Sequence, residues 1–169
     1  MYLRVVADSG SPSDPGRTAM VVDFEIGKAG AFRAATVAWK APWNDRRTRK
    51  EFEGLARWLK LRGIRGGRWF FIEKGGNSFR VAIEVPKGTT GDGKVQVRSF
   101  AASRVVRVQF DPDEVSPRVV YHGLNDFLRW RRKDKTIRAV GDYREIYDGN
   151  PWTNAKAFSG LRLEALVRS

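Results

Sequence analysis

The firmest constraint in this chain is a pair of short runs, Arg68–Glu73 and Ser78–Val85, on either side of Lys74-Gly75-Gly76-Asn77. Both runs are rich in aromatic and β-branched residues, and the glycine pair supplies the positive φ of a tight turn. The segment therefore predicts a β-hairpin. A two-residue turn at Gly75-Gly76 sets the register, placing Glu73 against Ser78, Ile72 against Phe79, Phe71 against Arg80 and Phe70 against Val81. Directly opposed residues share a face. One face then carries Phe70, Ile72, Phe79, Val81 and Ile83 and reads as core. The other carries Trp69, Phe71, Arg80, Ala82 and Glu84.

The remaining pattern is mostly strands separated by turn formers. A short N-terminal strand precedes a loop at Ser9–Gly16, then a strand over Thr18–Ile26 turns at Gly27–Gly30 into Ala31–Lys40. Asn44-Asp45 opens a helix that runs to about Arg62, with Phe52, Leu55, Ala56 and Leu59 at helical spacing. Strands follow at Lys94–Phe100 and Ser103–Phe110, stopped by Asp111-Pro112-Asp113-Glu114. The periodicity then predicts helices near Leu124–Lys133 and Thr136–Tyr147, while Leu161–Val167 fits either a strand or a helix. No internal repeat is evident, and no linker divides the chain. The expectation is one domain spanning 1–169, α+β, with a largely antiparallel sheet braced by a long amphipathic helix and two or three shorter helices.

Charge narrows the choice of partner. Among 169 residues, 32 Lys and Arg against 19 Asp and Glu leave a formal net charge of +13. Such an excess favours a polyanion, because neutralising phosphates releases condensed counterions. Arginine outnumbers lysine 22 to 10, which suits phosphate forks and base planes. There is no cysteine, which excludes disulfides and thiolate zinc sites, and the one histidine, His122, offers little to a metal. No cofactor is expected. The apolar run in Met1–Asp8 is too short for a secretory signal and nothing approaches a membrane span, so the expectation is a cytoplasmic protein without a membrane partner.

These features combine into a candidate site. Trp69 and Phe71 beside Arg80 form a stacking platform, and each base stack contributes roughly 1–3 kcal/mol. The next strand adds Arg98 and Phe100 on the outward side with Gln96, and Arg107 and Gln109 continue the pattern. The alternative is that a second layer covers this face and makes Trp69 and Phe71 ordinary core. A second group joins Trp39 and Trp43 to Arg46, Arg47, Arg49 and Lys50 at a helix start, where backbone N–H groups also face a phosphate. Arg65 and Arg68 complete the phosphate path. Arg129-Trp130-Arg131-Arg132-Lys133 reads instead as a helix C-terminus favoured by the dipole. Asp111, Asp113 and Glu114 lie in a turn; Tyr121, His122, Tyr143 and Tyr147 could support acid–base cleavage of RNA, but a lone histidine at a helix entry is more often structural, so no catalytic or metal-binding residue is predicted.

Through Arg68-Trp69-Phe70-Phe71-Ile72, Trp39-Lys40-Ala41-Pro42-Trp43 and Tyr143-Arg144-Glu145-Ile146-Tyr147, the chain resembles the ThermoDBP-related single-stranded DNA-binding proteins of hyperthermophilic archaea. The resemblance implies an antiparallel sheet braced by helices, with a hydrophobic-floored, basic-rimmed cleft for single strands. No heptad run precedes Ser169, so a leucine-zipper dimer is not expected, and other oligomers stay open. The expected function is sequence-independent binding of single-stranded DNA, with RNA also open. The alternatives are a metal-dependent nuclease and an RNA-binding ribonucleoprotein component.

Overall fold

The computed structural model describes residues 3–7, 20–75, 77–133 and 136–168. The elements run β1 (Leu3–Ala7), β2 (Met20–Ala29), β3 (Phe32–Lys40), α1 (Asp45–Leu61), β4 (Trp69–Lys74), β5 (Ser78–Glu84), β6 (Gln96–Phe100), β7 (Ser103–Phe110), α2 (Pro117–Lys133), β8 (Arg138–Tyr147), α3 (Ala155–Ser159) and β9 (Leu161–Arg168). Every named strand pairing is antiparallel, and the nine strands form one sheet in the order β1-β2-β7-β9-β8-β4-β5-β3-β6. The loop expected at Ser9–Gly16 and the turn residue Gly76 lie outside the described residues.

That order reads alike from both ends once β1 is set aside. Each half follows strand-strand-helix-strand-strand: β2, β3, α1, β4, β5 and then β6, β7, α2, β8, β9. The first strand of each half crosses to the far edge of the other, β2 onto β7 and β6 onto β3, while β4 and β8 meet at the middle. The repeat lies in the topology and left no matching period in the sequence.

The expected bracing is corrected. In place of one long helix with shorter ones, α1 and α2 are equal at 17 residues each, and α3 has 5. Asn44 caps α1 as its composition suggested, its side chain accepting from the Arg47 backbone N–H at 2.7 Å. The helix α2 starts at Pro117, seven residues before its expected beginning near Leu124. Thr136–Tyr147 is not a helix: it supplies β8, hydrogen-bonded to β4 on one side and β9 on the other. Pairing on both edges overrides a local composition that suits a helix. Leu161–Val167 resolves as strand, within β9.

Both long helices lie on one side of the sheet. Phe52, Leu55 and Leu59 of α1 and Val120, Leu124 and Phe127 of α2 share a core with Trp39, Phe71, Phe79, Val81, Ile83, Val106, Val108 and Leu163. A smaller cluster, Phe32, Ala34, Phe70, Ile72, Ala82 and Ile146, lies on the opposite side and contains no helical residue.

The hairpin register also differs from expectation. Lys74 pairs with Ser78, Glu73 with Phe79, Ile72 with Arg80 and Phe71 with Val81, so the connection has three residues rather than two. Asn77 takes a left-handed conformation, φ 61°, one that asparagine tolerates better than most residues. A slip of one residue exchanges the faces. Trp69 and Phe71 therefore lie with Phe79, Val81 and Ile83 under the helices, and Arg80, Ala82 and Glu84 lie with Phe70 and Ile72 on the helix-free side.

Candidate functional site: the two faces of the sheet

On the helix side, chemistry gathers where the two halves meet. Glu145 of β8 is flanked in register by Phe71 of β4 and Leu163 of β9. Its carboxylate accepts from the Tyr121 hydroxyl of α2 at 2.8 Å and from the Tyr147 hydroxyl at 2.6 Å. Tyr143, one alternation away, packs against Tyr121 with ring centroids 6.1 Å apart and donates to Asn125 Oδ1 at 2.8 Å. Beside Tyr147, Trp69 stacks on Phe52 of α1 at 5.3 Å, and Phe52 in turn meets Trp152 at 5.4 Å.

Solvent reaches part of the Glu145 side chain, but protein surrounds its carboxyl on most sides. Burial pushes its pKa up, opposed by the two tyrosine O–H donors, while Glu73 and Asp45 push it further up. Among the described residues no cation contributes. Burial and the neighbouring carboxylate likewise push Tyr121 and Tyr147 up, which keeps both hydroxyls protonated as donors. The protein as a whole carries a large positive excess, yet this part of the helix side collects carboxylates and rings.

The helix-free face is the reverse. Phe100, Phe32 and Phe70 form a near-parallel column, with centroids 4.5 and 4.4 Å apart and planes within 6° and 7°. Arg68 lies over Phe32 and Phe70, and Arg144 over Phe32 and Phe100, at 5.4 to 5.9 Å. Arg68 is committed: Glu84 takes two hydrogen bonds from it at 2.9 and 3.0 Å, and this bidentate pair holds the Glu84 carboxyl below its usual range. Arg80 and Arg144 have no such partner, and burial lowers the pKa of both.

The residues expected to form one site are thus distributed over four places. Arg68, Arg80, Arg98 and Phe100 come together on the helix-free face. Phe71 is 7 % exposed and Trp39 6 %, both under the helices, so neither is an open platform; Trp69 is half-buried beside Phe52. Trp43, Arg46 and Arg47 stand exposed around the start of α1, with Arg47 over the Trp39 ring at 5.4 Å. Arg65 is exposed between α1 and β4, apart from both groups. Asp111 is a turn residue, its side chain accepting from the Asp113 N–H at 2.9 Å. His122 is exposed on α2, lining a hollow with Arg129, Arg132 and Arg138. Among the described residues no three His, Asp or Glu side chains converge to hold a metal ion.

Glu145, Tyr121, Phe32 and Arg144 escaped the sequence reading as a site. The available signal was the alternation Tyr143, Glu145, Tyr147, which puts three polar-tipped side chains on one face of a strand, whereas a helix would keep Tyr143 and Tyr147 together and turn Glu145 away.

Comparison with known proteins gives no matching family model and no matching curated protein. Solved structures share the fold. The C-terminal domain of EcmrR superposes with a TM-score of 0.65 at 12 % identity, covering 89 % of this chain and 99 % of that one. EcmrR in its DNA complex gives 0.63 at 13 % identity over 88 % of this chain and 58 % of that one. A hydrolase from Listeria innocua gives 0.57 at 12 % identity, covering 86 % and 91 %. At these identities the likeness is one of fold, and none of the three is by name a ThermoDBP-related protein. Among the described residues no helix is long and apolar enough to cross a membrane.

Proposed function

We propose that this chain is a ligand-binding module that takes an aromatic organic cation in the cleft between α1 and α2, with Glu145 as the counter-charge. The observation that carries this reading is a carboxyl group enclosed by rings, gripped by two tyrosine O–H groups, with no positive partner. A cation entering there supplies the missing charge, and the faces of Trp69, Tyr143 and Trp152 attract it through their ring quadrupoles. Glu73 and Asp45 add to the local negative field. The position also suits a ligand, because sites recur where two halves of a fold meet. Trp69 and Phe71 lie on this helix side, Phe71 buried and Trp69 stacked on Phe52, so neither offers an open platform to a base.

Titration calorimetry with tetraphenylphosphonium, and with tetraphenylborate as an ion of like shape and opposite sign, tests the proposal. The cation binds the native protein, more tightly as pH rises and Glu145 ionises, and Glu145→Gln weakens it at least about tenfold, the loss of one desolvated charge contact. Equal binding by Glu145→Gln contradicts the assignment.

A further inference from the structure

The helix-free face holds positive charge that folding leaves unused. Arg144 is 5 % exposed and its Nη1 has no hydrogen-bond partner, while Glu164, opposite it in register, attracts it through space. Arg80 stands on the other side of Ile72 in the same cross-strand row, half-buried, with its Nε unpartnered. Arg98, on β6, is exposed, and its guanidinium rests on the side-chain oxygen of Gln96 at 2.6 and 3.0 Å rather than on a carboxylate. Burial destabilises the charged forms of Arg80 and Arg144, and Arg98 adds repulsion at Arg80, opposed by Asp142 at both and by Glu164 at Arg144. Unpaired buried charge is costly to a folded chain, and an anion arriving from outside relieves it.

The floor beside these arginines is the phenyl column. Phe70 and Phe32 are buried at 1 % and 8 % exposure, whereas Phe100, at the β6 end, is reached by solvent. A flat ring laid on Phe100 extends a stack already two contacts long.

We infer that this face binds single-stranded nucleic acid, with phosphates on Arg80, Arg98 and Arg144 and a base against Phe100. The three cations are all arginines, whose planar guanidinium matches phosphate oxygens and base planes alike. A flexible strand can lower a phosphate to Arg144 beneath the surface, whereas a duplex presents its phosphates on a stiff cylinder. An acidic peptide answers the charge but leaves Phe100 without a partner. One residue opposes binding: Glu164 faces Arg144 in register, is 6 % exposed, and keeps Oε2 unpartnered. It tempers the site, and Glu164→Gln tightens it.

Fluorescence anisotropy of labelled oligo(dT), oligo(rU) and a duplex, each across a series of salt concentrations, tests the inference. The native protein binds single strands over duplex, and the two oligonucleotides show whether the sugar matters. Phe100→Ala weakens binding about tenfold. Arg80→Ala and Arg98→Ala each flatten the log–log salt slope by about 0.7, one phosphate contact on a single strand. Arg57→Ala, an equal loss of charge on the exposed side of α1, leaves affinity and slope unchanged. Far-UV circular dichroism confirms that each variant is folded, and the partly exposed Arg80 and Arg98 carry the test if replacement of Arg144 disturbs packing. Equal losses from Arg57→Ala, a preference for duplex, or no salt-dependent binding overturns the inference. Glu145→Gln binds strands like the native protein, so failure here is distinct from failure of the cation cleft.

Discussion

Arg144 and Glu145 are adjacent in sequence and point through opposite faces of the same strand, where each meets the opposite neighbourhood. Glu145 lies between two tyrosines on the helix side, with two O–H donors and, among the described residues, no cation. Arg144 lies over two phenyl rings on the helix-free side, with Glu164 opposite it in register and its Nη1 without a hydrogen-bond partner. Both faces bury aromatic rings, but one is closed by helices and the other by arginine side chains laid over the rings, an arrangement that leaves charge in place of apolar cover. The comparison teaches that covering a sheet and completing its electrostatics are separate tasks. Here one face gathers carboxylate charge and the other gathers arginine charge.

The comparison breaks most visibly at the rings. Phe71→Ala, under the helices, should lower unfolding free energy by about 3–5 kcal/mol in denaturant titration, the usual range for deleting a buried aromatic side chain. Phe100→Ala should cost well under half of that, since solvent already reaches its ring. Equal losses would erase the distinction between a sealed face and an open one.

A smaller effect separates the two charges by pH. The folded-state pKa of Glu145 is raised, so its contribution to stability is fully present below the ordinary carboxylate pKa near 4.5 and is lost as pH rises through the folded value. Glu145→Gln should therefore melt at a higher temperature than the native protein near neutral pH, with the gap closing in acid. A gap that widens in acid would mean that the carboxylate is paired after all. Tyr147→Phe, which leaves Glu145 one O–H donor, should cost about 1 kcal/mol and push the Glu145 pKa higher still. Least of all, Arg68→Ala should lose about 1 kcal/mol or less, because its pair with Glu84 is partly solvent-exposed and screened.

Legibility in the sequence followed the range of the interaction. The Asn44 cap and the apolar stripe fix α1 almost to the residue, and β7 falls on Ser103–Phe110 as its flanking turns suggest, because those signals are local. The hairpin was visible, but Gly-Gly-Asn accommodates either turn length, and one residue of register decides which face carries Trp69 and Phe71. Thr136–Tyr147 reads as a helix because its strand character comes from β4 and β9, distant in sequence. That misreading hid Glu145 inside a string already singled out for its tyrosines. Arg68, Arg80, Arg98 and Phe100 were chosen for their chemistry and do share a surface, though not with Trp69. The column that organises them needs Phe32, more than thirty residues away from any of them.

The central claim is that the two faces serve two different occupants, and Glu145→Gln tests it in one preparation titrated with tetraphenylphosphonium and with labelled oligo(dT). The account predicts that cation affinity falls at least about tenfold while the oligonucleotide isotherm superimposes on that of the native protein. Loss of both, or an unchanged cation isotherm, would contradict it.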